Sequence, residues 1–343
     1  MLTQRFILTG EPRHDEALIR QASAVIRAGG LVAFPTETVY GLGADALNPV
    51  AVRRIYEAKQ RPDWDPLIVH VGDRKQMRLL VCDIPPAADA LIDAFMPGPL
   101  TLILPRSNLV SDIITAGRDT VAVRMPVHPV ARALIEYSQT PIAAPSANRF
   151  GRPSPTTADH VLNDLAGAIE MVLDAGETPV GVESTIVDLT TEPPTLLRPG
   201  GVPLESMEAV IGTVRTFTDH PAEGTPLPSP GTAPRHYAPS VPVLLVPPDP
   251  NALFGATKDA LTQYALVGAM VPEGWLIPSD THLVRFNWGP WSDWETLAHR
   301  LFEGLRWLEA QQVHAIVCPL PPPEGLGRAL RDRLERAANQ VDS

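Results

Sequence analysis

Two cations set the chemistry of this chain. Lys59 and Arg61 stand two residues apart, directly before Pro62, at the end of a run (residues 50–58) whose Val52, Ile55 and Tyr56 have helical spacing. Lysine is a compact point charge and arginine a flat fork of donors, so on an extended backbone the two suit an anion as large as a triphosphate. The same charges also complement the negative end of the preceding helix, and spacing leaves both uses open. Upstream, residues 33–45 read A-F-P-T-E-T-V-Y-G-L-G-A-D. Thr36, Glu37, Thr38 and Tyr40 place polar tips at the end of a short apolar run, and Gly41 and Gly43 permit tight turns or a close approach of ligand to backbone.

More chemistry-bearing residues follow at the ends of apolar runs. His70 is the one polar residue in the run 66–71; it is either a hydrogen-bonded core histidine or a ligand contact. In T-V-A-V-R (residues 120–124) a period of two puts Thr120, Ala122 and Arg124 on one face and Val121 and Val123 on the other. A hydroxyl and a guanidinium on one face can read a ligand, although an edge cation facing solvent has the same pattern. Ser146, Ala147 and Asn148 end the apolar run 141–144, and Ser154 lies in the proline-rich loop 151–157. Thr156 or Thr157 can cap a helix over 158–165. Ser184 lacks the G-x-S-x-G setting of a hydrolase nucleophile.

The elements that must position these groups alternate between short buried strands and helices. Helical periodicity spans residues 15–29, with Gly29 and Gly30 as a stop signal. Further helices are expected over 74–81, 87–95, 129–136 and 204–211. Strands are expected over 31–34, 66–71, 100–105, 120–124, 141–144, 171–174, 185–189 and 195–197. In such α/β sheets ligands sit outside the carboxyl ends of strands, where these polar groups fall.

At 343 residues the chain is long enough for two domains. Its net charge of −11 lacks the basic excess of a nucleic-acid module, so direct RNA binding is expected to be weak or absent. The two cysteines, Cys82 and Cys318, are too few for a disulfide framework or zinc site and read as buried small side chains. No eighteen-residue apolar run and no leader pattern occurs, so no membrane contact and a cytoplasmic location are expected.

The motifs F-P-T-E-T-V-Y-G-L-G, K-x-R-P and P-L-I-V-H-V, followed in order by T-V-A-V-R-M-P, A-P-S-A-N with P-S-P-T, and G-V-E-S-T-I-V-D with L-L-R-P-G, resemble the YrdC-like threonylcarbamoyl-AMP synthases. The tail resembles the C-terminal Sua-type domain of the long form, so the resemblance covers nearly the whole chain. It implies a YrdC-like domain over 1–212, a twisted open mixed sheet with helices. It also implies a proline-rich linker or lid over 213–240 and a smaller Rossmann-like α/β domain over 241–343. The implied activity is nucleotidyl transfer from L-threonine, bicarbonate and ATP, with Mg²⁺ carried by the phosphates rather than by protein side chains. The product feeds a separate transferase that modifies tRNA adenosine.

The resemblance further implies site roles. Lys59 and Arg61 hold the phosphates. Thr36, His70, Arg124, Ala144 (through its backbone) and Ser184 contact threonine. Thr120, Ser146, Asn148, Ser154, Arg198 and Tyr237 lie at the nucleotide, Tyr237 within S-P-G-T-A-P-R-H-Y-A-P. Pro97-Gly98-Pro99-Leu100-Thr101 matches a family signature and reads as architectural. Composition alone makes residues 213–240 a spacer.

In the tail, strand-like runs at 241–246, 264–267, 283–286 and 313–318 alternate with helical runs at 252–261, 291–310 and 325–339, the pattern of a small α/β sheet. No phosphate loop or dinucleotide fingerprint accompanies them. Trp288, Trp291 and Trp294 read as core packing rather than a partner patch. Two rival functions are carbamoyl transfer through carbamoyl-AMP and a non-catalytic RNA-binding module. The first normally comes with zinc-finger cysteines and an acylphosphatase region, which this sequence lacks; the acidic charge disfavours the second.

Overall fold

The computed structural model describes residues 2–218 and 224–339, so Pro221 of the linker lies outside the described residues. The chain divides into two compact units. The first comprises Met1–Phe150, Pro155–Pro179 and Glu183–Ala233; the second comprises Gly151–Ser154, Val180–Val182 and Pro234–Ser343.

Among the described residues, the first unit holds one mixed sheet. Its strands are β1 (Gln4–Ile7), β2 (Val32–Phe34), β3 (Gly41–Asp45), β4 (Ile68–His70), β5 (Leu100–Pro105), β6 (Thr120–Arg124), β7 (Ile142–Ala143), β8 (Met171–Asp174), β9 (Thr185–Asp188), β10 (Thr195–Arg198) and β11 (Arg215–Thr216). They lie in the order β1-β8-β2-β3-β7-β4-β6-β5-β9-β10-β11. The strands β4 and β6 run parallel, while β5 and β7 flank that pair antiparallel. Alternation places Val69, Val121, Val123, Leu102 and Leu104 in the main core. Ile68, Ile103, Ala122 and Ile186 point to the opposite face, where they form a small cluster of their own. Thr120 and Arg124 share that face with Ala122 by the period of two. Burying one such valine or leucine contributes about 1.5–3 kcal/mol, which is why the pattern sets the register.

The helices fall where the periodicity predicts, with ends set by caps. The Pro49–Lys59 helix begins with Asn48 accepting from the amides of Val50 and Ala51, and it ends at Gln60 in left-handed backbone (φ 53°). That turn separates the direction of Lys59 from that of Arg61. Thr157, not Thr156, caps Ala158–Leu165 by accepting from the His160 amide.

The second unit is a four-stranded parallel sheet, β12 (Val243–Val246), β15 (Ala315–Pro319), β13 (Val267–Pro272) and β14 (Leu283–Gly289), in that spatial order. The helices Pro250–Gln263, Trp294–Ala310 and Gly325–Ala338 connect or follow these strands. The strand expected over 264–267 lies later, at Val267–Pro272. Gly268 and Pro272 read as breakers, but pairing with β15 on one side and β14 on the other overrides local propensity. Trp288 is fully buried and donates its indole N–H to the Leu297 carbonyl at 2.8 Å. Trp291 and Trp294 are half-buried and pack against each other.

Cys318 is buried, whereas Cys82 is exposed, contrary to the expectation for both. Val81 bridges to Arg106 with its side chain inward, and alternation turns the next residue out. No helix among the described residues is long and apolar enough to cross a membrane.

Candidate active site

The strand β2 enters the site and β3 leaves it, joined by the loop that carries Thr36, Glu37 and Thr38. Thr36 shapes this loop. Its hydroxyl donates to the Val39 carbonyl at 2.7 Å and accepts from the Thr38 amide at 3.1 Å. The loop so formed holds Glu37 inward, against Arg124 at the end of β6. Arg124 Nη2 donates to Glu37 Oε1 at 2.7 Å, and Glu37 Oε2 accepts from the Val127 amide at 3.2 Å. Both side chains are about 5% exposed (5% for Arg124, 6% for Glu37), which makes this a buried ion pair. Burial is the largest influence on Glu37 and opposes its ionisation, yet the Arg124 charge, the hydrogen bond from Arg124 and the backbone amides together hold the carboxyl below the usual range.

His70 lies beside Arg124 in register on β4 and is 2% exposed. Burial, then the Arg124 charge, depress the His70 ring well below the usual histidine range, so it is neutral at physiological pH. The Phe34 ring meets it edge-on at 6.3 Å. Gly43 makes room for that phenyl, because a Cβ there would stand 2.7 Å from its edge. Two buried polar atoms here lack a hydrogen-bond partner, Arg124 Nε and His70 Nδ1. Buried donors and acceptors are rarely left so. Side by side, a guanidinium edge and a neutral imidazole suit a small molecule with a carboxylate and a hydroxyl.

From Arg124 a line of contacts runs along the strands. Thr101 on β5 pairs with Arg124 in register, and its hydroxyl shares a 2.8 Å hydrogen bond with Ser184. Arg198, at the end of β10, donates to the Ser184 carbonyl at 3.0 Å and to its hydroxyl at 3.1 Å. The Arg198 guanidinium also donates to the Pro230 carbonyl at 3.3 Å. Gly200 lets the following turn pass: a Cβ there would stand 2.4 Å from the backbone of residues 183–185.

Lys59 and Arg61 form a second cluster. The Lys59 ammonium donates to the carbonyls of Ser146 and Asn148 and is 1% exposed. The Arg61 guanidinium donates to the carbonyls of Asp65 and Pro66 at 3.0 and 2.6 Å and pairs with the Asp65 carboxylate at 2.8 Å. Arg61, Lys59 and Arg198 all act on that carboxylate. Three cations therefore lie within electrostatic reach of one buried carboxylate, a setting for phosphates rather than for a bare metal ion. Among the described residues no group of three or more His, Cys, Asp or Glu could hold a metal.

The remaining expected residues divide between the units. Ala144 is buried, and its amide donates to the Ile68 carbonyl at 2.9 Å. Ser146 is half-buried, and the Asn148 amide group donates to the Arg149 carbonyl at 2.8 Å. Thr120 lines a small cavity with Ala122, Pro228, Ser229 and Pro230, so residues 228–230 of the linker pack on the strand face that carries Arg124. Ser154 and Tyr237 belong to the second unit. There Tyr237 has left-handed backbone (φ 60°), is 1% exposed, and packs against Phe302 at 5.6 Å and the Arg333 guanidinium at 4.9 Å.

Sequence reasoning assigned no role to Glu37, Asp65 or Thr101. Glu37 was visible as a polar tip, but nothing local links it to a residue 87 positions away. Asp65 stands four residues after Arg61, a spacing that could have suggested the pair.

Comparison with known proteins adds the following. Residues 24–200 match the Sua5–YciO–YrdC family, described as "Telomere recombination", and residues 202–339 match "Threonylcarbamoyl-AMP synthase, C-terminal domain". The threonylcarbamoyl-AMP synthase of Pyrococcus abyssi is 45% identical over 97% of this chain and 97% of that one. The protein of that name from Bacillus subtilis is 42% identical over 98% of each. The crystal structure of P. abyssi Sua5 complexed with L-threonine superimposes with a TM-score of 0.90 at 44% identity, covering 98% of each chain.

Proposed function

Because the chain belongs to the Sua5–YciO–YrdC family, we propose that its first unit makes threonylcarbamoyl-AMP and pyrophosphate from L-threonine, bicarbonate and ATP. The chain is a nucleotidyltransferase, a threonylcarbamoyl-AMP synthase of the long, two-domain form, and its product serves tRNA modification. The single observation that carries the site reading is the buried pair of partnerless atoms, Arg124 Nε and His70 Nδ1, beside a three-cation cluster.

In this reading the threonine carboxylate takes the Nε edge of Arg124 while Glu37 keeps Nη2. Neutral His70 accepts from the threonine hydroxyl. Thr36, Ala144 and Ser184 complete the pocket around the amine and side chain. The amine adds to carbon dioxide, drawn from bicarbonate, and loses a proton to give a carbamate. A carbamate oxygen then attacks the α-phosphorus, the bond from that phosphorus to the β-bridging oxygen breaks, and pyrophosphate leaves with the electron pair. Lys59, Arg61 and Arg198 stabilise charge on the phosphates, an electrostatic task that needs no acid–base dyad. Mg²⁺, carried by the triphosphate, would supply further neutralisation there. Thr120, Ser146, Asn148, Ser154 and Tyr237 are assigned to the nucleotide, with the linker over it excluding water from a labile acyl adenylate. The substrates and product are small polar metabolites, which suits a cytoplasmic site of action.

The test is pyrophosphate release from Mg·ATP with L-threonine and bicarbonate each supplied or withheld. Release that needs both, with the adenylate seen by mass spectrometry, supports the reading. Release driven by carbamoyl phosphate without threonine overturns it in favour of carbamoyl transfer. Salt-sensitive tRNA binding without turnover overturns it in favour of a binding module.

A further inference from the structure

Asp65 has no part in the reaction just described, yet it pairs with Arg61 and feels the charges of Lys59 and Arg198. Its side chain is fully buried and lies 2.8 Å from the Arg61 guanidinium. Lys59 and Arg198 also pull on it, and its Oδ2 has no hydrogen-bond partner. Arg61 already donates to two carbonyls of residues 65 and 66 as well as pairing with the carboxylate. A triphosphate directed to these three cations therefore meets a carboxylate already among them. A second anion brought beside this buried carboxylate disfavours its charged form and makes it easier to protonate.

We infer that Asp65 is a built-in competing anion, which offsets one of the three positive charges of the Lys59–Arg61–Arg198 cluster in the absence of nucleotide and takes up one proton when a nucleoside triphosphate binds. The inference rests on the nucleotide placement proposed above. The bookkeeping is simple: the proton comes from solvent and sits on the Asp65 carboxyl, and no other bond changes. Burial pushes this carboxyl up to about 6 against the pull of Arg61, Lys59 and Arg198. It is therefore ionised near neutral pH by a margin of only about one unit, and a neighbouring triphosphate raises it further. Among the described residues Tyr56 also faces it: its hydroxyl donates to the Ile113 carbonyl at 2.7 Å and lies 3.3 Å from the Asp65 carbonyl, and burial pushes its own ionisation up. Tyr56 stays protonated throughout. Asp65 so placed weakens the hold of the site on polyanions, which favours release of pyrophosphate after the transfer.

The experiment is calorimetric titration of the full chain with Mg·ATP in two buffers of different ionisation heat, comparing wild type with Asp65→Asn. The wild type should take up about one proton more than the variant. Relative to the variant, its affinity should weaken about tenfold per pH unit between about pH 6.5 and 8. Equal proton counts and parallel pH profiles would overturn the inference while leaving the nucleotide site intact. If the wild type fails to bind Mg·ATP at any pH, the nucleotide placement falls too. Should Asp65→Asn not fold, the wild type decides alone. Near pH 8 the nucleotide's own phosphates no longer titrate, so proton uptake there supports the inference and its absence overturns it.

Discussion

Removing one member of the Glu37–Arg124 pair is the sharpest test of how the threonine end of the site is built. Glu37→Ala leaves a guanidinium that is 5% exposed without its counter-ion. Breaking a buried pair from one side costs about 3–5 kcal/mol. The first unit has about 220 residues, for which each kcal/mol moves the melting temperature by about 2–4 °C, so a fall on the order of 10 °C is expected. Arg124→Ala should cost a similar amount, because it strands Glu37. The double variant should lie well short of the sum, with a coupling of about 2 kcal/mol. L-Threonine adds the discriminating readout. If its carboxylate binds Arg124, it supplies the missing anion in Glu37→Ala, so added threonine should raise the melting temperature more there than in wild type. It should do nothing in Arg124→Ala. The assay is thermal unfolding of the four proteins, each with and without saturating threonine. Strict additivity, or equal threonine shifts in wild type and Arg124→Ala, would refute the placement of the carboxylate.

Lys59→Ala removes one of the three cations assigned to the phosphates in the proposed mechanism, and threonine-dependent pyrophosphate release should fall at least about 100-fold while L-threonine binding persists. Burial and the Arg124 charge keep His70 neutral, so its contribution is present above the unfolded pKa of about 6.5 and is lost as pH falls below it, at up to about 1.4 kcal/mol per unit. His70→Asn should flatten that acid-side loss in urea titrations between about pH 6.5 and 5. Burial depresses His128 as well, so part of the slope should remain; an unchanged slope would mean that His70 is not held neutral. Gly200→Ala drives a methyl group to 2.4 Å from the backbone of residues 183–185 and so displaces Ser184. It should destabilise the first unit by about 1–3 kcal/mol or more and raise the threonine requirement. An active, fully stable Gly200→Ala protein would show that the turn relaxes freely.

What the sequence determined about this protein is what depends on near neighbours. Helix periods, proline and glycine stops, and the alternation of T-V-A-V-R all report on a few adjacent residues, and they placed Lys59 and Arg124 at element ends and His70 within its strand. The ordered motifs identified the family for the same reason, since each is a contiguous stretch. Tertiary structure decided everything that depends on partners far along the chain. Pairing with two neighbours made a strand of V-G-A-M-V-P despite its glycine and proline. One bridge from Val81 to Arg106 turned Cys82 outward. Above all, only the fold shows which internal counter-ion Arg124 carries. Glu37 reaches Arg124 across 87 residues, and Asp65, paired with Arg61 four residues before it, also feels the charges of Lys59 and Arg198. A charge states its sign in the sequence. Which opposite charge it meets, and whether water is kept from the pair, is settled when distant strands pack together.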